Sequence, residues 1–148
     1  MDLSLNEDQE LIKASVEKFI IENYNSENRR KTIKNNSGSD ANIWRQFAEL
    51  GWLGLPFLKK DGGFGGDLLD MNILMESFGK GLVIEPYIST VILSGTILSL
   101  CPESKIRSKI ISNIISGSNK VSFAYAEPNS RFNVNDVSTT AKFANNEW

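Results

Sequence analysis

The run FAYAEP at 123–128 sets two aromatic residues, Phe123 and Tyr125, two apart and follows them with a carboxylate. At a period of two, both rings lie on one face of an extended segment, and their π-faces can stack on a planar cofactor. A half-buried strand explains the same spacing equally well. The cluster DGGFGGD, with Gly62, Gly63, Gly65 and Gly66, invites comparison with a phosphate-binding loop. It fits neither G-x-G-x-x-G nor G-x-x-x-x-G-K-[ST], and no strand of a βαβ unit precedes it. A glycine-rich connector between helices is the favoured reading. Gly79 and Gly81 flank Lys80 as a helix stop. The carboxylates Glu76 and Glu85 flank apolar stretches, and a buried pair of this kind can act as acid and base. Helix caps or surface ion partners are the commoner use and are favoured here. The stretch EPYISTVILSGTIL offers a wall for an apolar ligand or simply a core helix.

The chain has no histidine and one cysteine, Cys101. An intrachain disulfide is excluded. So are Ser-His-Asp and Cys-His catalysis. A zinc or haem site lacks its usual ligands, and no metal is assigned. Acid–base work falls to Asp, Glu, Lys or Tyr, or to a bound cofactor. The formal net charge of −2 gives no basic field to hold nucleic acid or an anionic membrane. No apolar run is long enough to span a bilayer. The opening MDLSLNEDQE has neither the basic nor the apolar region of a secretory signal, so the cytoplasm is the expected compartment.

These groups need elements to position them. Asn6 with Gln9, or Ser4 with Glu7, forms a capping box ahead of Ile12, Val16, Phe19 and Ile20, which predicts a helix from about 6 to 23. The polar stretch to Asp40 reads as a loop with a short helix around Glu27 to Ile33. Asp40 caps a helix with Trp44, Phe47 and Ala48 on one face and Gly51 at its left-handed end. Asp67 caps a helix to about Phe78, with Leu69, Ile73 and Met75 facing in and Gly79 and Gly81 ending it. From Pro86 the apolar stretch predicts a buried helix. After Pro102, a stripe of Ile106, Ile110, Ile111, Ile114 and Ile115 predicts another, with Lys105, Arg107 and Lys109 facing water and Gly117 closing it. From Lys120 the period switches to two. Val121, Phe123 and Tyr125, then Val137, Thr139 and Ala141, predict two strands, with Phe143 extending the second and EPNSRFN as a turn between them. Two strands alone are marginal in water and need partners.

The order of these elements resembles the acyl-CoA dehydrogenase family over nearly the whole chain. LNEDQELIKASVEKFI is similar to its opening helix, and WRQFAELGWLGLPFLKKDGGFGGD to its second helix and glycine-rich loop. CPESKIRSKIISNIISGSNKVSFAYAEPNS is similar to the helix, turn and first strand that open its β-domain. DVSTTAKFANNEW is similar to the following strand, up to the tryptophan that begins the next. GLVIEPYISTVILSG and AEPNSRFNVNDV resemble most the branch that includes small subunits of pimeloyl-CoA dehydrogenase. The fold class implied is mainly α: an N-terminal helical bundle domain over 1–118, then the first strands of an incomplete β-barrel domain over 119–148. The resemblance implies the leading piece of a longer dehydrogenase, as a fragment, a shortened gene product or an incomplete record, expected to be inactive alone.

The resemblance implies α,β-dehydrogenation of an acyl-CoA thioester, with FAD as cofactor and electron-transfer flavoprotein as redox partner, in a homo- or hetero-oligomer. The family's base is commonly a glutamate of the C-terminal domain, so no catalytic residue is assigned. By position, Phe123, Tyr125 and Ala126 fall along the flavin edge, and Tyr87, Thr90 and Val91 at the acyl pocket; the family's serine at the acyl-CoA is lost, with Ser130 as its candidate substitute. Ala126 stands where the family has a threonine that bonds the flavin. Arg131-Phe132-Asn133 replaces the usual G-S-D, and Arg131 is left to meet a phosphate or a surface carboxylate. These departures favour a rival implication, a non-catalytic partner subunit that docks on a complete dehydrogenase. An unrelated helical ligand-binding module is the third alternative.

Overall fold

The computed structural model describes residues 4–34, 38–131 and 133–145. Helix α1, Glu7–Asn23, starts on Asn6, whose side chain accepts the Gln9 N–H at 2.9 Å while Gln9 Oε1 accepts the Asn6 N–H at 3.1 Å. Of the two capping boxes in the sequence, this is the one that takes the N-cap. Helix α2, Ser26–Lys34, is the short helix expected in the polar stretch; residues 35–37 of the expected loop lie outside the described residues. Helix α3, Ala41–Glu49, starts on Asp40, whose carboxylate accepts from Asn42 and Ile43. The connector then passes through two short 3₁₀ turns, Trp52–Gly54 and Lys59–Asp61. Asp67 caps α4, Leu68–Lys80, in a second reciprocal box with Asp70. Gln9 Nε2 donates to Asp70 Oδ1 at 3.1 Å, so the two boxes brace one another.

The apolar stretch forms one continuous helix in two windings. A π-helical segment, Ile88–Ser94, runs directly into α5, Gly95–Leu100. It is not buried all round as expected. Tyr87, Thr90, Val91, Ser94 and Gly95 face the core, while Ile88, Leu93, Ile97 and Leu100 are exposed. Helix α6, Lys105–Ile115, is capped by Ser104 and closed by Gly117 in the left-handed region. No described helix is long and apolar enough to cross a membrane.

Aromatic packing joins the helices. Phe19 of α1, Trp44 and Phe47 of α3, Trp52, Phe78 of α4 and Tyr87 form one buried cluster. Phe47 and Phe78 stack with centroids 4.9 Å apart and planes 15° apart. Phe19 and Trp52 meet edge to face at 5.2 Å, as do Phe78 and Tyr87 at 5.3 Å. These are the geometries that ring quadrupoles favour, and each such pair adds about 0.5–1.5 kcal/mol beyond area burial.

Two expectations fail on α4, one at its face and one at its end. Leu69 points outward, and Met71, Leu74 and Phe78 join Ile73 on the inner face of α4. Helix α4 continues through Gly79 and ends on Gly81, which is not left-handed. The left-handed residue is Leu82, at φ 51°. Its N–H donates to the Gly79 carbonyl, and the Val83 N–H to the Phe78 carbonyl, the bond pair of a Schellman motif. Gly81 is needed for another reason: a Cβ there would lie 2.8 Å from Ile20 Cγ2 of α1. The glycine permits close helix packing, and leucine bears the turn.

Arg107 was expected to face water and is 5% exposed; Ile106 is exposed instead. The Arg107 guanidinium grips Asp61 with two bonds, of 2.7 and 2.9 Å, and its Nε donates to the Leu98 carbonyl at 2.8 Å. One cation thereby ties the glycine connector to the end of α5. This hydrogen-bonded pairing, foremost, holds the Asp61 carboxyl below the usual carboxylate range.

Three outcomes follow for chemical denaturation. Phe47→Ala removes the centre of the aromatic cluster and lowers stability by about 3–5 kcal/mol. Leu82→Gly relieves the left-handed leucine and raises stability by about 1 kcal/mol, whereas Gly81→Ala lowers it. Asp61→Asn and Arg107→Met each lower the urea midpoint, because each strands a buried partner, and the double variant recovers part of the loss. Since the Asp61 pKa is depressed, its contribution is present above the unfolded carboxylate pKa and is lost as pH falls through the folded one. The wild-type midpoint therefore falls more steeply in that acid window than that of Asp61→Asn.

Candidate functional site

The segment after α6 is fastened to the helices before it presents its aromatic residues. The Lys120 ammonium sits 5.4 Å from the Trp44 ring centroid, over its face. The Val121 N–H donates to Thr90 Oγ1 at 3.3 Å, pinning the segment to the π-helical turn. Beyond this pin the two expected strands are not formed among the described residues. The Tyr125 N–H turns back to the Phe123 carbonyl at 3.1 Å, a three-residue turn in place of an extended run. A strand requires a neighbour for its N–H and C=O groups, and none is offered to this segment by the helical body.

The EPNS turn forms as expected. Pro128 occupies its second position, and the Ser130 N–H donates to the Glu127 carbonyl at 3.2 Å. The Glu127 carboxylate then reaches the next segment. It accepts the Ser138 N–H at 2.7 Å, the Thr139 N–H at 3.0 Å and the Ser138 hydroxyl. These donors, the hydroxyl first among them, hold its pKa down at about 2.

The result is an apolar groove. Leu93 of the π-helical turn, Phe123, Tyr125, Val134 and Val137 line it, with Glu127 and Thr139, around about 610 Å³. That volume suits a small-molecule site. The Phe123 and Tyr125 centroids are 6.1 Å apart with planes tilted 32°, and the residues are 46% and 54% exposed. Leu93 also borders a second apolar groove of about 530 Å³, shared with Met75, Leu82, Tyr87 and Ile88. Ser94 stabilises the π winding by donating its hydroxyl to the Ser89 carbonyl at 2.7 Å, five residues back. Gly95 lets the Phe57 ring close against the helix; a Cβ there would lie 2.7 Å from Phe57 Cζ. A π winding turns residues out of α-helical register and is frequent at functional sites.

The residues singled out in the sequence divide between groove and core. Phe123 and Tyr125 line the groove, and Ala126 beside them is exposed and offers no side-chain donor. Tyr87 borders the second groove, yet its hydroxyl donates to the Trp52 carbonyl at 2.9 Å, and burial raises its pKa. Thr90 and Val91 are buried in the core. Ser130 is buried, and its hydroxyl donates to the Glu127 carbonyl at 3.2 Å. Arg131 is exposed in a left-handed conformation, and Phe132 lies outside the described residues. Glu85 is buried and structural: it accepts from the Tyr24 hydroxyl and from the Asp40 N–H at 3.1 Å. Burial and this bond to Glu85 raise the Tyr24 pKa. Glu76 is exposed and pairs with Lys80 at 2.8 Å. Glu76 therefore serves the surface-pair role favoured for it, whereas Glu85 is a buried structural acceptor, neither cap nor surface partner. The sequence reading missed Leu93, Val134 and the carboxylate role of Glu127. The period of the apolar stretch gave no sign of the π winding that contains Leu93. Among the described residues no group of His, Cys, Asp or Glu is placed to hold a metal ion.

Residues 6–118 match the family described as Acyl-CoA dehydrogenase, N-terminal domain. The acyl-CoA dehydrogenase IpdE2 of Mycolicibacterium smegmatis is 30% identical over 97 residues, covering 65% of this chain and 31% of that protein. The caffeyl-CoA reductase-Etf complex subunit CarC of Acetobacterium woodii is 33% identical over 102 residues, covering 67% of this chain and 27% of its own. The chain thus spans under a third of the length of these relatives. The crystal structure of the ChsE4-ChsE5 complex from Mycobacterium tuberculosis shares the fold, with a TM-score of 0.75 at 20% identity, over 82% of this chain and 34% of that one. Helix order, caps, glycine connector and the match over 6–118 agree: the chain belongs to the acyl-CoA dehydrogenase family, through its N-terminal helical domain.

Proposed function

We propose that this chain provides the N-terminal, substrate-side part of an FAD-dependent acyl-CoA dehydrogenase, acting in the α,β-dehydrogenation of an acyl-CoA thioester. The observation that carries the reading is the family match over 6–118 joined to a half-open apolar groove that displays Phe123 and Tyr125. Two exposed rings, tilted 32° to one another beside Leu93 and Val137, offer apolar surface to one face of a flat ring system. They fit one face only. Ala126 adds no hydrogen bond, and the Tyr125 N–H is already taken by the Phe123 carbonyl. FAD, when bound, supplies hydride acceptance from the β-carbon. Phe123 and Tyr125 would hold its ring, Leu93 would exclude water beside it, and Tyr87 would border the acyl chain.

The groove's carboxylate does not complete the chemistry. Glu127 is held as an anion by three donors, which makes it a feeble base toward an α-proton. Glu127 is therefore not assigned as the base, and this reading leaves proton abstraction to the glutamate that the family commonly carries in its C-terminal domain. Residues 119–148 would begin a β-domain whose strands order only against partners, and the exposed aromatic pair is the surface those partners would cover. Electron-transfer flavoprotein is the expected redox partner, and CarC is named as a subunit of an Etf complex.

The second reading is a non-catalytic subunit of a larger dehydrogenase. The missing donor at Ala126 favours it, and the ChsE4-ChsE5 structure is of a complex of two named components.

The purified chain, given FAD and short, medium and long acyl-CoAs, should reduce no dye; measurable turnover would refute the assignment of the base elsewhere. Adding a larger dehydrogenase that supplies the base separates the two readings. Flavin bound at Phe123 and Tyr125 in the assembly supports the first. Stable co-purification with flavin only on the larger component supports the second.

A further inference from the structure

We propose that Glu127 is a positioning residue: its carboxylate clasps Ser138 and Thr139 and so folds one wall of the groove over the other. The assignment of the groove as a flavin face rests on the preceding reading; the clasp itself rests on geometry alone. Glu127 follows Tyr125 by two residues, and Ser138 and Thr139 directly follow Val137. A bond between these points draws the aromatic wall and the aliphatic wall together. The hydrogen bonds are divided between the two carboxylate oxygens. Oε2 takes the Ser138 N–H and hydroxyl, and Oε1 takes the Thr139 N–H. Among the described residues these segments form no strand, and the Glu127 side chain links one to the other.

The geometry is also selective for a carboxylate. Bonds to an ionised acceptor are shorter and stronger than neutral ones. A glutamine has a single acceptor oxygen, so it can take the Ser138 pair or the Thr139 N–H but not both. The backbone of Glu127 is fixed as well: its N–H donates to Ser130 Oγ at 3.3 Å, within the turn begun by Pro128. The carboxylate is therefore aimed from a rigid base, and Ser130 acts through Glu127.

The test compares wild type with Glu127→Gln and Ser138→Ala in the full chain. Amide exchange at Ser138 and Thr139, followed by NMR, should accelerate about tenfold or more in Glu127→Gln, as expected for loss of charge-assisted bonds. It should accelerate less in Ser138→Ala, which keeps both N–H donors. The ring resonances of Phe123 and Tyr125 should shift in Glu127→Gln, while the amides of α1 and α4 stay protected. Unchanged exchange at Ser138 and Thr139, or unchanged ring resonances despite faster exchange, overturns the proposal. A titration with FAD, read by flavin fluorescence, distinguishes the two claims. If wild type quenches FAD and Glu127→Gln does so several-fold more weakly, the clasp positions the flavin face. Equal affinity overturns that positioning role. If wild type leaves FAD unquenched while the exchange and ring shifts behave as expected, the flavin reading fails and the clasp stands.

Discussion

The stack of Phe47 on Phe78, with Phe19, Trp52, Trp44 and Tyr87 around it, is the interaction on which the rest of the molecule depends. It brings together α1, α3, α4, the glycine connector and the start of the π-helical segment, elements far apart in the chain. Large rings bury much area with few rotamers to freeze, so a few of them can define a core in a short domain. Tyr87 has a particular part. It packs against Phe78 and bonds the Trp52 carbonyl, and so fixes where the apolar helix begins. The position of Leu93 in the groove descends from that anchor.

Buried charge secures what the aromatic core does not reach. The connector between α3 and α4 is irregular, and irregular backbone near a core needs its polar groups satisfied. Arg107 holds Asp61 of that connector and also donates to the Leu98 carbonyl of α5, while at the start of α3 Glu85 accepts the Asp40 N–H and holds Tyr24. Each gathers partners from at least two elements. Removing one member strands the others in a place with little water, so these residues act as corner pieces rather than as extra stabilisation.

The chemistry divides along the same line as the physics. The helical body is largely self-consistent in its caps, core and corner charges, with the buried Trp44 indole N–H left without a hydrogen-bond partner. The segment after α6 is not: it shows apolar rings to solvent and uses side-chain bonds where a sheet would use its ladder. A flavin enzyme needs a flat apolar face, a base and a covered site. The groove offers an apolar aromatic face, and its Glu127 carboxylate is bonded to Ser138 and Thr139.

The sequence by itself determined the helices and their punctuation, because caps and periodicity are local. Asn6 with Gln9, Asp40, Asp67, Ser104 and Gly117 act within a few residues of themselves, and the order of the resulting elements sufficed to point to the family. It also set the aromatic pair at a spacing that keeps both rings together. Only the tertiary structure decided that Arg107 turns inward to Asp61, that Leu69 and Ile106 turn out, that Leu82 bears the left-handed turn so that Gly81 can meet Ile20, and that residues 88–94 wind as a π-helix. It likewise decided that, among the described residues, the period-two runs form no strand. The reason is common to all of these. Each outcome depends on what stands opposite a residue in space, a neighbour tens of residues away, and neither period nor propensity records that neighbour.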